Sequence, residues 1–134
     1  MNAMLKTDPL VAAVIGHFVG DYLLQTKRMA LGKTKLGIYG IGLCTAHVGV
    51  YSAAVCAVIW TANMLLFALV FIPHWIIDRW SLAGLWLKAI GGRTFDTVSD
   101  QNREWDIAFT AIVYTVTDNT MHVLCLWAAL AYLN

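Results

Sequence analysis

The chain has 134 residues, enough for one domain, and is 60% hydrophobic with only 13% charged residues, a balance that reads as an integral membrane protein. Its formal net charge is +1, and the basic residues form neither a run nor a stripe interleaved with aromatics, which sets nucleic acid aside as a partner. Cys44, Cys56 and Cys125 lie in apolar stretches without CxxC spacing, so neither a disulfide framework nor a zinc ribbon is indicated and they read as small packing side chains.

A crossing helix needs about 20 apolar residues, and the hydropathy supports four of them in a single integral domain over residues 1–134, an all-α four-helix transmembrane bundle. The segment from Met1 to Pro9 carries only Lys6 and Asp8, a poor signal peptide, so the first helix is expected to be retained. That helix spans residues 9–25, with Pro9 suited to its first turn. Helices over residues 38–60 and 64–83 follow, separated by Thr61-Ala62-Asn63, which forces an antiparallel hairpin with Asn63 as N-cap and Trp60 at the interface. Pro73 removes a hydrogen bond to the Leu69 carbonyl and is expected to kink the third helix. Trp80, Leu82, Leu85, Trp86, Leu87 and Lys88 then predict a short cytoplasmic amphipathic segment between the third and fourth helices, and the fourth helix spans residues 107–133. Lys27, Arg28, Lys33 and Lys35 mark the first loop, and Arg79, Lys88, Arg93 and Arg103 the third, against an uncharged second loop. By the positive-inside rule the charged loops face the cytoplasm and both termini lie outside.

All four histidines fall inside these apolar stretches, and three have an aspartate four residues away on the same helix face: His17 with Asp21, His74 with Asp78, and His122 with Asp118. Counting inward from the cytoplasmic ends places His17, His47, His74 and Asp118 within about 5 Å of one level. Asp21 and Asp78 then sit one turn nearer the cytoplasmic mouth and His122 one turn deeper. An ionisable residue near the bilayer centre costs about 2.5–3.5 kcal/mol, so several need partners. Helical bundles build metal sites from such inward i, i+4 pairs. His17, Asp21, His47, His74, Asp78, Asp118 and His122 therefore form a candidate ligand set for one or two divalent ions, with zinc, manganese or iron suited to imidazole and carboxylate. Asp21 and Asp78, nearest the mouth, are the candidate catalytic bases. Tyr22, Gln25 and Arg79 at the mouth and Thr115 and Asn119 near Asp118 are candidate substrate or supporting groups. Gly16 and Gly20 make a small-xxx-small pattern that lets another helix approach closely.

These residues fall into blocks: His17-x-x-x-Asp21-Tyr22-x-x-Gln25, Met29-Ala30-x-x-Lys33, a lone His47, His74-Trp75-Ile76-Ile77-Asp78-Arg79, and Asp118-Asn119-x-x-His122. The pattern resembles the small bacterial and phage membrane proteins grouped as domain of unknown function 3307, with Asn119 standing where that family is expected to carry Gln. The resemblance implies a four-helix membrane fold in a bacterial inner membrane and the importance of these positions, without naming a reaction. More distantly, the chain is similar to membrane-bound metal-dependent hydrolases.

The leading functional expectation is a metal-dependent hydrolase of a phosphoester or lipid-linked substrate entering from the cytoplasmic leaflet. A metal or proton transporter is the alternative. Four helices are few for a transporter, so that reading implies a homo-oligomer, and the mostly apolar outer half of the helices counts against a through path. A third reading is a holin-like or accessory membrane protein, for which Gly37, Gly40, Gly42, Gly49, Ser52 and Ala53 offer a small-residue face.

Overall fold

The structure, a computed structural model, describes residues 8–133, all helix and connection without a strand. The expectation for residues 1–7 lies outside the described residues. Helix α1 (Pro9–Phe18) is started by Asp8, whose carboxylate accepts from the backbone N–H groups of Leu10 and Val11 at 2.8 and 3.3 Å. It passes into a π-helical turn, Val19–Leu23, closed by the Leu24 N–H on the Val19 carbonyl at 3.0 Å. The regular helix expected to reach residue 25 therefore ends early. Such wide turns are frequent at functional sites, and this one carries Asp21.

The first loop contains an unanticipated helix, α2 (Lys27–Gly32), capped by Thr26. Two bonds hold it in place: Arg28 donates to the Tyr39 hydroxyl at 2.7 Å, and Arg79 donates to the Lys33 carbonyl at 3.3 Å. Helix α3 (Gly37–Ile59) ends at Trp60, which takes the left-handed conformation at φ 63° and turns the chain into the hairpin. Asn63 then caps α4 (Met64–Trp80) through Leu65 and Leu66, as its position predicts.

Helix α4 runs on through Pro73 and stops at Trp80, three residues short of the expected end. At Ser81, left-handed at φ 48°, the chain turns by 57° into α5 (Leu82–Gly91), the expected amphipathic segment. Ala83 and Leu87 face inward on α5, while Leu85, Trp86 and Ile90 are exposed. Helix α6 (Arg103–Leu133) begins four residues earlier than predicted and closes the bundle against α1, α4 and α5.

Among the described residues only α3 is long and apolar enough to cross a membrane by itself, and α4 with α5 forms a second such stretch only as a bent pair. Several polar groups are nevertheless buried beside the apolar core, and many large apolar side chains are exposed. His17, His47, Ser52, His74, Asp78, Thr110 and His122 are buried, whereas Val11, Ile15, Ile41, Ile72, Ile112, Leu124 and Trp127 are exposed on the outer faces of the four long helices.

Helix α1 meets the backbone of α3 at close range where the two cross. A Cβ on Gly16 would lie 2.7 Å from the Val55 Cα, and one on Gly20 would lie 2.7 Å from the Tyr51 ring and 3.0 Å from its Cα. The small-xxx-small pattern is thus the α1–α3 contact, and it brings His17 and Asp21 against His47 and Tyr51. Gly16→Ala is expected to destabilise the fold by about 1–3 kcal/mol through overpacking against backbone. Gly49→Ala, whose Cβ meets nothing within 4 Å, should be neutral or mildly stabilising. Thermal unfolding of the two variants in detergent checks this, and equal midpoints would contradict the close approach.

Candidate metal centre

Asp78 is at the middle of the bundle with both oxygens engaged. Its Oδ1 lies 2.8 Å from the Lys33 ammonium and 3.5 Å from His122 Nε2, and its Oδ2 lies 3.1 Å from His47 Nε2 and 3.2 Å from His74 Nε2. Asp21 joins from the π turn. Its Oδ2 is 3.2 Å from His17 Nδ1, and its Oδ1 is 3.2 Å from His47 Nε2 and 3.7 Å from His74 Nε2. Asp118 completes the set at 3.5 Å from His122 Nε2. The rings of His74 and His122 stack with centroids 3.9 Å apart at 16°, and Tyr51 covers the other side of His74 at 3.7 Å.

The seven residues singled out by spacing therefore meet, with two differences in placement. Asp78, expected near the mouth, is buried with a side chain only 1% exposed, because α2 folds over it and delivers Lys33; Asp21 and Asp118 are the carboxylates that reach a pocket. His17 stands apart from the ligand groups. Its Nδ1 faces the Tyr51 hydroxyl at 3.1 Å as well as Asp21, and its Nε2 faces Asn119 Oδ1 at 2.6 Å, so both nitrogens are occupied. Its geometry is that of a residue that orients Asp21.

Three overlapping groups could hold a metal ion: Asp21, His74 and His122; His47, His74 and Asp78; and Asp78, Asp118 and His122, each with its donor atoms within 4.8 Å of one another. Ligands about 2.0–2.1 Å from one tetrahedral ion lie roughly 3.3–3.4 Å apart, and the contacts around Asp78 are of that length. Nδ1 of His47, His74 and His122 has no hydrogen-bond partner among the described residues. Ligating histidines usually fix that nitrogen on a carboxylate or carbonyl, so here ring orientation comes from stacking and packing instead.

Charge is the stronger argument. Three carboxylates, Asp21, Asp78 and Asp118, face one ammonium, Lys33, leaving two negative charges, on the partly exposed Asp21 and Asp118 that line the pocket. Buried charge must be matched. Protons on two imidazoles would match it, but among four rings in contact, two of them stacked at 3.9 Å, like charges repel. One divalent cation satisfies the balance with every imidazole neutral.

Lys33 and Tyr51 are the site residues that sequence reasoning missed. From the sequence Lys33 is one more basic residue of the first loop, in the block Met29-Ala30-x-x-Lys33; Tyr51 follows His47 by four residues on one helix face, a spacing that places the two side by side. Burial works against the Lys33 ammonium, but the Asp78 carboxylate outweighs it and holds its pKa above the usual lysine range.

Among the supporting candidates, Asn119 bridges His17, the Tyr22 hydroxyl at 2.6 Å and the Thr115 carbonyl at 2.7 Å. Tyr22, Gln25 and Thr115 line a pocket of about 230 Å³ with Asp21, Lys33 and Asp118. Arg79 does not reach the cluster and acts on it only through the Lys33 backbone.

The fold and site together define an all-α protein that gathers buried histidines and aspartates from its long helices into clusters able to hold a metal ion. The chain belongs to the family described as protein of unknown function DUF3307, whose model matches residues 10–134. No curated protein and no solved structure matches it.

Removing one partner of a buried ion pair costs about 3–5 kcal/mol. Lys33→Met is expected to show a loss of that size in unfolding experiments in detergent, and adding Asp78→Asn should recover much of it. A Lys33→Met protein as stable as wild type would reduce Lys33 to a topology anchor.

Proposed function

We propose that the protein is an integral membrane metalloprotein, a four-helix bundle with its charged loops in the cytoplasm and both termini outside, that hydrolyses a phosphoester of a lipid-linked substrate. The observation that carries this reading is the charge-unbalanced cluster at the floor of the pocket: three carboxylates and four imidazoles around a single ammonium. His47, His74, Asp78, Asp118 and His122 supply the donors. Nitrogen and oxygen donors suit zinc, manganese or iron, and the charge balance favours one ion over two.

Bound at such a site, a divalent ion lowers the pKa of a coordinated water to about 7 and polarises a phosphoryl oxygen. Asp21 has the position of a general base, since it touches the histidines and also lines the pocket; Asp78 is held by Lys33 and the imidazoles and keeps the donors together. His17 orients Asp21. The pocket walls, Tyr22, Gln25 and Lys33, offer hydrogen-bond donors, and Lys33 a positive charge, to an entering phosphate.

Two further observations support the membrane setting and the choice of hydrolysis over transport. Exposed apolar side chains cover all four long helices while polar groups point inward, an arrangement stable in hydrocarbon and unfavourable in water. Beyond the histidines, on the side away from the charged loops, Ala13, Val55, Leu66, Val70, Leu126 and Ala129 form a continuous apolar cluster. A polar path would need hydrophilic groups there; a site open to one side does not.

Elemental analysis of the detergent-purified protein is expected to find about one equivalent of divalent metal, lost in His74→Ala and Asp78→Ala. A wild type that stays empty when zinc, manganese and iron are offered would overturn the proposal. With metal bound, Asp21→Asn should retain the ion and lower phosphodiesterase or phosphatase turnover by about 10²–10⁴-fold. Unchanged turnover would remove Asp21 from the role of base.

A further inference from the structure

A second cavity, of about 300 Å³, opens where α4 bends into α5 against α6 and the segment after Gly92. Its walls combine two chemistries. Trp80, Leu85 and Phe95 are apolar and exposed, and Lys88, Arg93 and Asp96 bring two positive charges and one negative. Neither cation is within ion-pair distance of a described carboxylate. Gly84 keeps the floor open, since a Cβ there would lie 3.1 Å from Ser81 Oγ and 3.6 Å from the Tyr114 ring.

Its place in the fold selects the occupant. The exposed face of α5, with Leu85, Trp86 and Ile90, continues the apolar surface of the bundle at the end that carries the basic loops. An amphipathic helix in that position lies at the level of lipid headgroups. The net single positive charge of the cavity complements one phosphodiester, and the aromatic and aliphatic walls complement the first methylenes of an acyl chain.

We propose that this elbow cavity is a binding site for an anionic phospholipid of the bilayer, its phosphate held by Lys88 and Arg93 and its chain lying against Trp80, Leu85 and Phe95. The inference deepens the hydrolase reading and rests on its membrane placement, because one residue joins the two cavities. Tyr114 lines both the elbow and the pocket bounded by Asp21, Lys33 and Asp118, and its hydroxyl is 3.1 Å from Ser81 Oγ at the bend. A lipid phosphate in the elbow is separated from the metal centre by that ring.

The test is native mass spectrometry of the detergent-solubilised full chain offered equal amounts of phosphatidylglycerol and phosphatidylcholine, with EDTA present so that the readout is independent of metal. Phosphatidylglycerol should be retained preferentially, and the Lys88→Gln/Arg93→Gln variant should retain about tenfold less, the loss expected for charge-assisted bonds to phosphate. Lys27→Gln/Lys35→Gln removes the same charge from the first loop and should retain the wild-type amount. Gly84→Leu, which fills the floor, should also lose the lipid while melting as a folded protein. Equal retention of the two lipids, or equal loss in the two charge variants, would overturn the proposal. Selective retention by a protein shown to bind no metal would instead leave the elbow site standing and remove the hydrolase.

Discussion

Asp78 is the constraint on which the rest of the molecule depends. A carboxylate withdrawn from water is tolerated only when its oxygens are matched, and Asp78 is matched by Lys33 after α2, His47 on α3, His74 on α4 and His122 on α6. The remaining helix, α1, joins through Asp21 on His47 and through His17 on Asn119. Displacing any one element strands a charge that another element was placed to meet, so the cluster specifies the bundle's packing as well as containing its chemistry.

Several local departures from regular helix serve that specification. The π turn at Val19–Leu23 widens the end of α1 where Asp21 bridges His17 and His47. Glycines at 16 and 20 remove the side chains that would hold α1 away from Val55 and Tyr51. Arg28 and Arg79 anchor the two ends of α2, and Lys33 is held on Asp78 as a consequence. An isolated six-residue helix is unstable in water; these tertiary bonds, together with Thr26 as cap, make α2 a fixed part of the site.

What the sequence made legible, and what it hid, follows from the range of the interactions involved. The i, i+4 pairs were visible because a helix fixes their geometry within one turn, and common depth could be counted because rise per residue is constant. The caps Asp8 and Asn63 and the α3–α4 hairpin are equally local; Asn63 was read directly. Lys33 was hidden because its role depends on α2 folding back over Asp78, a contact across 45 positions that periodicity does not encode. The same fold-back explains why Asp78, counted toward the mouth, is buried. Helix α2 and the π turn lie where composition is mixed and no run of apolar residues marks an element. Pro73 lies within the continuous α4, while the 57° turn into α5 falls at the left-handed Ser81, a position marked by neither proline nor glycine.

The sidedness of the cluster limits what it can do. On one side, Ala13, Val55, Leu66, Val70, Leu126 and Ala129 from α1, α3, α4 and α6 close over the histidines in an apolar cluster. On the other, Asp21, Lys33 and Asp118 line an open pocket whose wall, Tyr114, is shared with the cavity at the elbow. A carrier must expose its site alternately to both faces, which here would require separating α1 from α3 where Gly16 meets the Val55 backbone. A reaction centre needs access from one face only and gains from rigidity on the other, because donors held by packing keep their geometry while charge develops on the substrate. The asymmetry between a sealed side and an open one therefore fits the proposed reaction centre better than a carrier.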